Sequence, residues 1–101
     1  MEKEIIWSES AQNQLEDIYF YLLEESKSAT ISENVINSIY DSVSILKTNW
    51  EIYEIDEMKT SNDGNYRAYE IYNYRISYKI TSNSIHILRV RHTSRNPKKL
   101  L

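Results

Sequence analysis

From residue 11 the apolar positions recur with helical spacing. Ala11, Leu15, Ile18 and Leu22 lie four, three and four residues apart, which places them on one face of a helix. Tyr19 and Leu23 widen that face. Ser8 or Ser10 offers an N-cap, and Glu9 suits the positive end of the helix dipole. The helix is expected to end near Glu25, where Ser26-Lys27-Ser28 reads as a turn. A second helix follows, with Val35, Ile36, Ile39, Val43 and Leu46 on one side and Asn34, Asn37 and Asp41 on the solvated side. Two amphipathic helices joined by a short link make an antiparallel hairpin. Ahead of them, Glu4 to Trp7 is a short apolar run and a candidate first strand.

Residues 49–65 carry no clear period: Ile52 and Glu54 alternate, but acidic residues crowd the segment. Ser61-Asn62-Asp63-Gly64-Asn65 is a turn signal, holding the only glycine of the chain. After it the period changes to two. Residues 67–72 read as a strand and Asn73 as a turn residue. Residues 75–81 read as a second strand with Ile76, Tyr78 and Ile80 on one face. Ser82-Asn83-Ser84 makes another tight turn, and residues 85–92 form a third strand. The expected order is β-α-α-β-β-β. The fold class is α+β, with a helical hairpin packed on one face of a small, curved antiparallel sheet.

Composition narrows the function classes. There is no cysteine, so disulfide and thiol chemistry are excluded, and a reducing cytoplasm is the expected location. The N-terminal residues hold no apolar run of signal-peptide length. No stretch approaches the roughly 20 apolar residues of a membrane span. Two histidines, no HExxH and no calcium loop make a metal site improbable, and a single glycine excludes a glycine-rich nucleotide loop. No cofactor is expected. Nine tyrosines against one phenylalanine suit a surface that touches a partner.

The net charge of −3 hides a sorted distribution. Residues 1–65 hold four Lys and no Arg against ten Glu and four Asp, a charge of −10. Residues 66–101 hold three Lys and five Arg against one Glu, a charge of +7. The cations Arg67, Arg75, Arg89, Arg91, Arg95, Lys98 and Lys99 are therefore the expected docking residues for a polyanion or an acidic partner. A plainer account is that helices favour Glu and strands do not. Arg89 and Arg91 read as sharing a strand face with Ile85 and Ile87, a half-apolar, half-basic face suited to an amphipathic acidic helix.

The element order and several residues resemble the RelE/ParE toxin superfamily across nearly the whole chain. The resemblance runs through Trp7, Ser8, Ala11, Leu15, Ile18 and Tyr21, then Arg67-Ala68-Tyr69 and Tyr74-Arg75-Ile76-Ser77-Tyr78. It ends with Ile85-His86-Ile87-Leu88-Arg89-Val90-Arg91-His92 and the tail Arg95-Asn96-Pro97. It implies a single toxin domain over residues 1–101 of a bacterial type II toxin–antitoxin system. RelE-like members cut messenger RNA on the ribosome, whereas ParE-like members are reported to inhibit DNA gyrase. Both are neutralised by an antitoxin that wraps the toxin, so a toxin–antitoxin hetero-oligomer is expected.

RNA cleavage by a 2′-hydroxyl needs a base, an acid and positive charge at the phosphate. His92 is the best acid or base by intrinsic pKa. Arg75, Arg67, Arg89 and Arg91 could hold phosphate, and Glu54 or Glu70 could serve as base. In the resemblance, Arg75 lies where ribonuclease members keep a phosphate-binding arginine, and His92 lies near a catalytic histidine. His92 and Arg75 are thus the catalytic candidates if the chain is a ribonuclease. Each also has a structural reading. His92 can close a strand end, His86 can be a surface residue, and Arg75 can pair a helix glutamate such as Glu24. Thr93 follows His92 where ribonuclease members often have tyrosine, and only Lys59 stands among Glu51, Glu54, Asp56 and Glu57 where RelE carries lysines. With a pI near 5.4, these departures favour the ParE-like branch, a binding inhibitor of gyrase. The alternatives are a RelE-like ribosome-dependent endoribonuclease and a non-toxic remnant acting with its antitoxin as a DNA-binding co-repressor.

Overall fold

The computed structural model describes residues 1–93. Lys98, Lys99 and Arg95 lie outside the described residues. The expected element order stands: β1 (Glu4–Trp7), α1 (Glu9–Ser26), α2 (Ala29–Ser44), a short 3-10 turn (Ile45–Lys47), β2 (Tyr66–Ile71), β3 (Tyr74–Ile80) and β4 (Ser84–His92).

Ser8 is the N-cap of α1, and its side chain accepts from the Ala11 N–H at 3.0 Å. The helix stops at Lys27, which adopts φ 57° and donates its N–H to the Leu23 carbonyl. Ser28 then caps α2 by accepting from the Ile31 N–H. The two helices are locked together by Ser32, fully buried, whose hydroxyl donates to the Tyr19 carbonyl at 2.6 Å. Ala11, Leu15 and Ile18 of α1 and Ile39 and Val43 of α2 are buried, as their spacing predicts. Leu46 completes that face from the 3-10 turn.

The sheet order is β1-β4-β3-β2. β2, β3 and β4 form the expected antiparallel meander, and Tyr72 and Asn73 both take positive φ at the β2–β3 hairpin. The sheet is mixed rather than wholly antiparallel, because β1 lies parallel to β4. A strand's own residues do not encode its direction; here the helical hairpin returns the chain so that β1 takes the free edge of β4. Lys3 fixes that edge. Its buried side chain donates to the carbonyls of Thr81 and Ser82 at 2.8 and 2.7 Å and rests over the Trp50 ring.

The helices cover one face of the sheet. Ile76, Tyr78 and Ile80 of β3 meet Ile85, Ile87 and Val90 of β4 beneath them. Each such buried aliphatic side chain contributes about 1.5–3 kcal/mol. Residues 49–65 form no strand of their own, but Ile55 bridges to Arg67 on the edge of β2. Tyr53 stacks on Tyr69 at 4.0 Å, the Tyr69 hydroxyl meets Ser42 at 2.7 Å, and Tyr78 donates to the Trp50 carbonyl at 2.9 Å.

Two measurements test this packing. Ser8→Ala removes both the α1 cap and a bond to the Leu88 carbonyl, and is expected to cost about 1–2 kcal/mol by urea unfolding, with an unchanged slope. Burial pushes the Tyr78 hydroxyl up to about 12 and Tyr69 higher still, from an ordinary value of 10.0. Raised folded-state values mean that the stabilisation is complete below the unfolded value and is lost as pH rises through the folded values. The urea midpoint is therefore expected to fall from about pH 10 upward, and less steeply in Tyr78→Phe.

Candidate functional site

The side of the sheet away from the helices is open, and what it presents is decided in the middle of β4. Pairing with β3 runs Ile80↔Ile85, Lys79↔His86 and Tyr78↔Ile87, then jumps to Ser77↔Arg89, Ile76↔Val90 and Arg75↔Arg91. Leu88 is the extra residue, a β-bulge. Past it the alternation inverts, so Val90 rather than Arg89 or Arg91 continues the buried row of Ile85 and Ile87. The expectation that Arg89 and Arg91 share a face with Ile85 and Ile87 is therefore wrong: the bulge turns both arginines to the open side.

Ser8 holds the bulge in place. Its N–H donates to the Ile87 carbonyl at 2.9 Å and its hydroxyl to the Leu88 carbonyl at 3.0 Å. β1 ends at Trp7, and the Val90 N–H is met by the Gln14 side-chain oxygen of α1 at 2.7 Å instead.

The open face then has three cross-strand rows: Tyr66, Lys79 and His86; Ala68, Ser77 and Arg89; Glu70, Arg75 and Arg91. Small Ala68 and Ser77 leave the middle row low. A groove of about 380 Å³ runs there, with Tyr66, Ser77, Leu88, Arg89 and Arg91 on the sheet side and Asp56, Met58 and Lys59 on the loop side. Neither Arg89 nor Arg91 has an ion-pair partner among the described residues. The Tyr66 ring carries the Lys59 ammonium at 4.6 Å and that of Lys79 at 5.2 Å.

Arg75 is engaged. Its Nη2 donates to Asp56 Oδ1 at 2.6 Å, a charge-assisted bond between two partly buried groups. The expected helix partner Glu24 is not involved, because Arg75 faces away from the helices. Asp56 is itself well held: its N–H donates to the Tyr66 carbonyl at 2.8 Å, and its Oδ1 also accepts from the Met58 N–H. The pair pins the loop that walls the groove.

The other candidates are scattered. Arg67 stands on the helix side, opposite Tyr78. Its Nε donates to the Gly64 carbonyl, its Nη1 to the carbonyls of Tyr53 and Glu51, and its Nη2 lies 3.7 Å from Glu51. It staples the 51–64 loop to β2, apart from the groove. His92 pairs with Tyr74 and meets that ring edge-on at 5.0 Å, also on the helix side. His92 and Arg75 therefore rise from opposite faces of the sheet, and the structure does not bring them together. Glu70 is exposed across from Arg75, Glu54 is exposed in the loop, and His86 is half-buried across from Lys79.

Asp56, Met58, Lys59, Tyr66, Ser77 and Leu88 were not expected at this site. One signal for the bulge was in the sequence: apolar residues at 85, 87, 88 and 90 break the two-residue period at Leu88. A double-mutant cycle on Asp56→Asn and Arg75→Gln is expected to give a coupling on the order of 1–2 kcal/mol by urea unfolding. Additive effects would mean that the pair does not hold the loop.

Known proteins of this shape exist. The chromosomal ParDE TA system from P. aeruginosa matches with TM-score 0.70 at 16% identity, covering 89% of this chain and 95% of that one. The YoeB dimer from Staphylococcus aureus matches with TM-score 0.57 at 19% identity, covering 90% of this chain and 97% of that one. At these identities the likeness is one of fold. No curated protein matches the sequence. The family described as ParE toxin of type II toxin-antitoxin system, parDE, matches residues 5–97. That span takes in all but the first residue of β1, the helical hairpin and the whole meander with its bulge, and the chain belongs to the ParE toxin family.

Proposed function

We propose that this ParE-family toxin acts by binding rather than by cutting RNA, with DNA gyrase as its target, and that a cognate antitoxin with an acidic amphipathic helix silences it in a hetero-oligomer. The observation that carries the reading is the separation of His92 from Arg75. A ribonuclease built on that pair needs both within reach of one phosphodiester. Here the sheet lies between them, and the Arg75 guanidinium is committed to Asp56. The groove offers cations and apolar surface, with no histidine among its lining residues. That chemistry suits recognition of an acidic surface. The match to a ParDE system supports an antitoxin as partner.

The decisive experiment is a supercoiling assay with purified gyrase, titrated with this protein, with and without its antitoxin. Inhibition that the antitoxin reverses, and that His92→Ala retains, is the expected result. If gyrase is untouched while messenger RNA is cut on ribosomes, and His92→Ala or Arg75→Ala abolishes the cutting, the endoribonuclease reading replaces it. A chain that neither slows growth nor inhibits gyrase, yet strengthens operator binding by its antitoxin, would be a co-repressor.

A further inference from the structure

The groove sets the cations Lys59, Arg89 and Arg91 beside the apolar Met58 and Leu88, and the chain carries the complementary surface on its own first helix. Glu9, Asn13, Glu16, Phe20 and Glu24 fall on one stripe of α1, opposite the buried residues Ala11, Leu15 and Ile18. All five are exposed, and Phe20 is 63% exposed despite being a large aromatic. Neither Glu16 nor Glu24 has an ion-pair partner among the described residues. The stripe is an acidic helix surface with an aromatic centre. On the other side of the molecule, Arg89 and Arg91, without ion-pair partners among the described residues, and Lys59 line the groove with Leu88 and Met58, the latter 61% exposed. Among the residues of β2–β4 on the open face the only carboxylate is Glu70, and Asp56 of the loop is taken up by Arg75.

We propose that a second copy of this chain docks the Glu16–Phe20–Glu24 stripe of its α1 into the open-face groove, with Phe20 on Met58 and Leu88 and the glutamates on Arg89, Arg91 and Lys59. The two surfaces cannot meet within one molecule, because α1 packs against the opposite face of the sheet. The contact is head-to-tail, so a pair still has one free groove and one free stripe, and association is open-ended. Glu57, exposed beside Met58, opposes an acidic occupant, and the attraction is between solvent-exposed charges. The association is therefore weak and salt-sensitive. It requires neither gyrase nor an antitoxin.

Sedimentation velocity on the purified protein tests it. At about 50 mM NaCl the apparent mass is expected to rise with concentration past twice the 12.1 kDa of one chain, and to return to a monomer at about 500 mM. The groove variant Arg89→Glu with Arg91→Glu, and the stripe variant Glu16→Lys with Glu24→Lys, are each expected to stay monomeric at low salt. Mixed in equal amounts they are expected to associate again, because the native stripe of the groove variant fits the native groove of the stripe variant, and the two reversed surfaces are complementary to each other. Circular dichroism of each variant, unchanged from wild type, separates lost contact from lost fold. A wild type that is monomeric up to about 100 μM at low salt overturns the proposal and leaves the groove to a partner of different sequence. Association that survives both charge reversals overturns it too, and places the contact elsewhere, such as the β1 edge.

Discussion

One strand has to satisfy two demands in this fold, and a single inserted residue makes that possible. β4 supplies Ile85, Ile87 and Val90 to the core, and it also carries Arg89 and Arg91. Strict alternation would put Arg89 and Arg91 beneath the helices, where an unpaired guanidinium is costly. The bulge at Leu88 shifts the phase so that the apolar residues stay inside and the cations go out. Its position is fixed by Ser8, which bonds the carbonyls of Ile87 and Leu88 while capping α1. The end of β1, the start of α1 and the bulge are thus one unit, and the groove depends on all three. Gln14 completes it by meeting the Val90 N–H that β1 is too short to reach.

From that phase shift follows a division between the two faces. The helix side holds the residues whose polar groups close the fold. Arg67 staples the loop, Tyr69 and Tyr78 bond Ser42 and Trp50, and His92 rests on Tyr74. The open side holds charges that the fold leaves largely unused. Asp56 is the exception, since it reaches across from the loop to Arg75 and sets one wall of the groove. Burial and bonding separate these roles where residue type alone cannot. Arg67, Arg75 and Arg89 are identical side chains on adjacent strands with three different environments.

The helices, their caps and the meander were legible because each rests on local spacing. The four-three-four pattern from Ala11, the serine at position 8 and the two-residue period of β3 are properties of short windows. What failed to show was set by longer-range geometry. The direction of β1 depends on where the helical hairpin leaves the chain. The partner of Arg75 depends on a loop, residues 49–65, with no period of its own. The faces of Arg89 and Arg91 were misjudged by carrying a two-residue period through Leu88, although the spacing of Ile87, Leu88 and Val90 breaks it there. Chemistry and resemblance match His92 with Arg75, whereas the cross-strand register sets them on opposite sides of the sheet.

Secondary-structure preference explains one half of the sorted charge. Preference of helices for glutamate accounts for the acidic hairpin, but it does not account for where the arginines stand within the sheet. Arg75 and Arg91 are directly opposite one another on β3 and β4. Like charges at such positions destabilise an antiparallel pair. Asp56 neutralises Arg75, and Arg91 has no carboxylate partner among the described residues. Arg89 and Arg91, with no ion-pair partner among the described residues, thus add positive charge to the open face beyond what the fold uses.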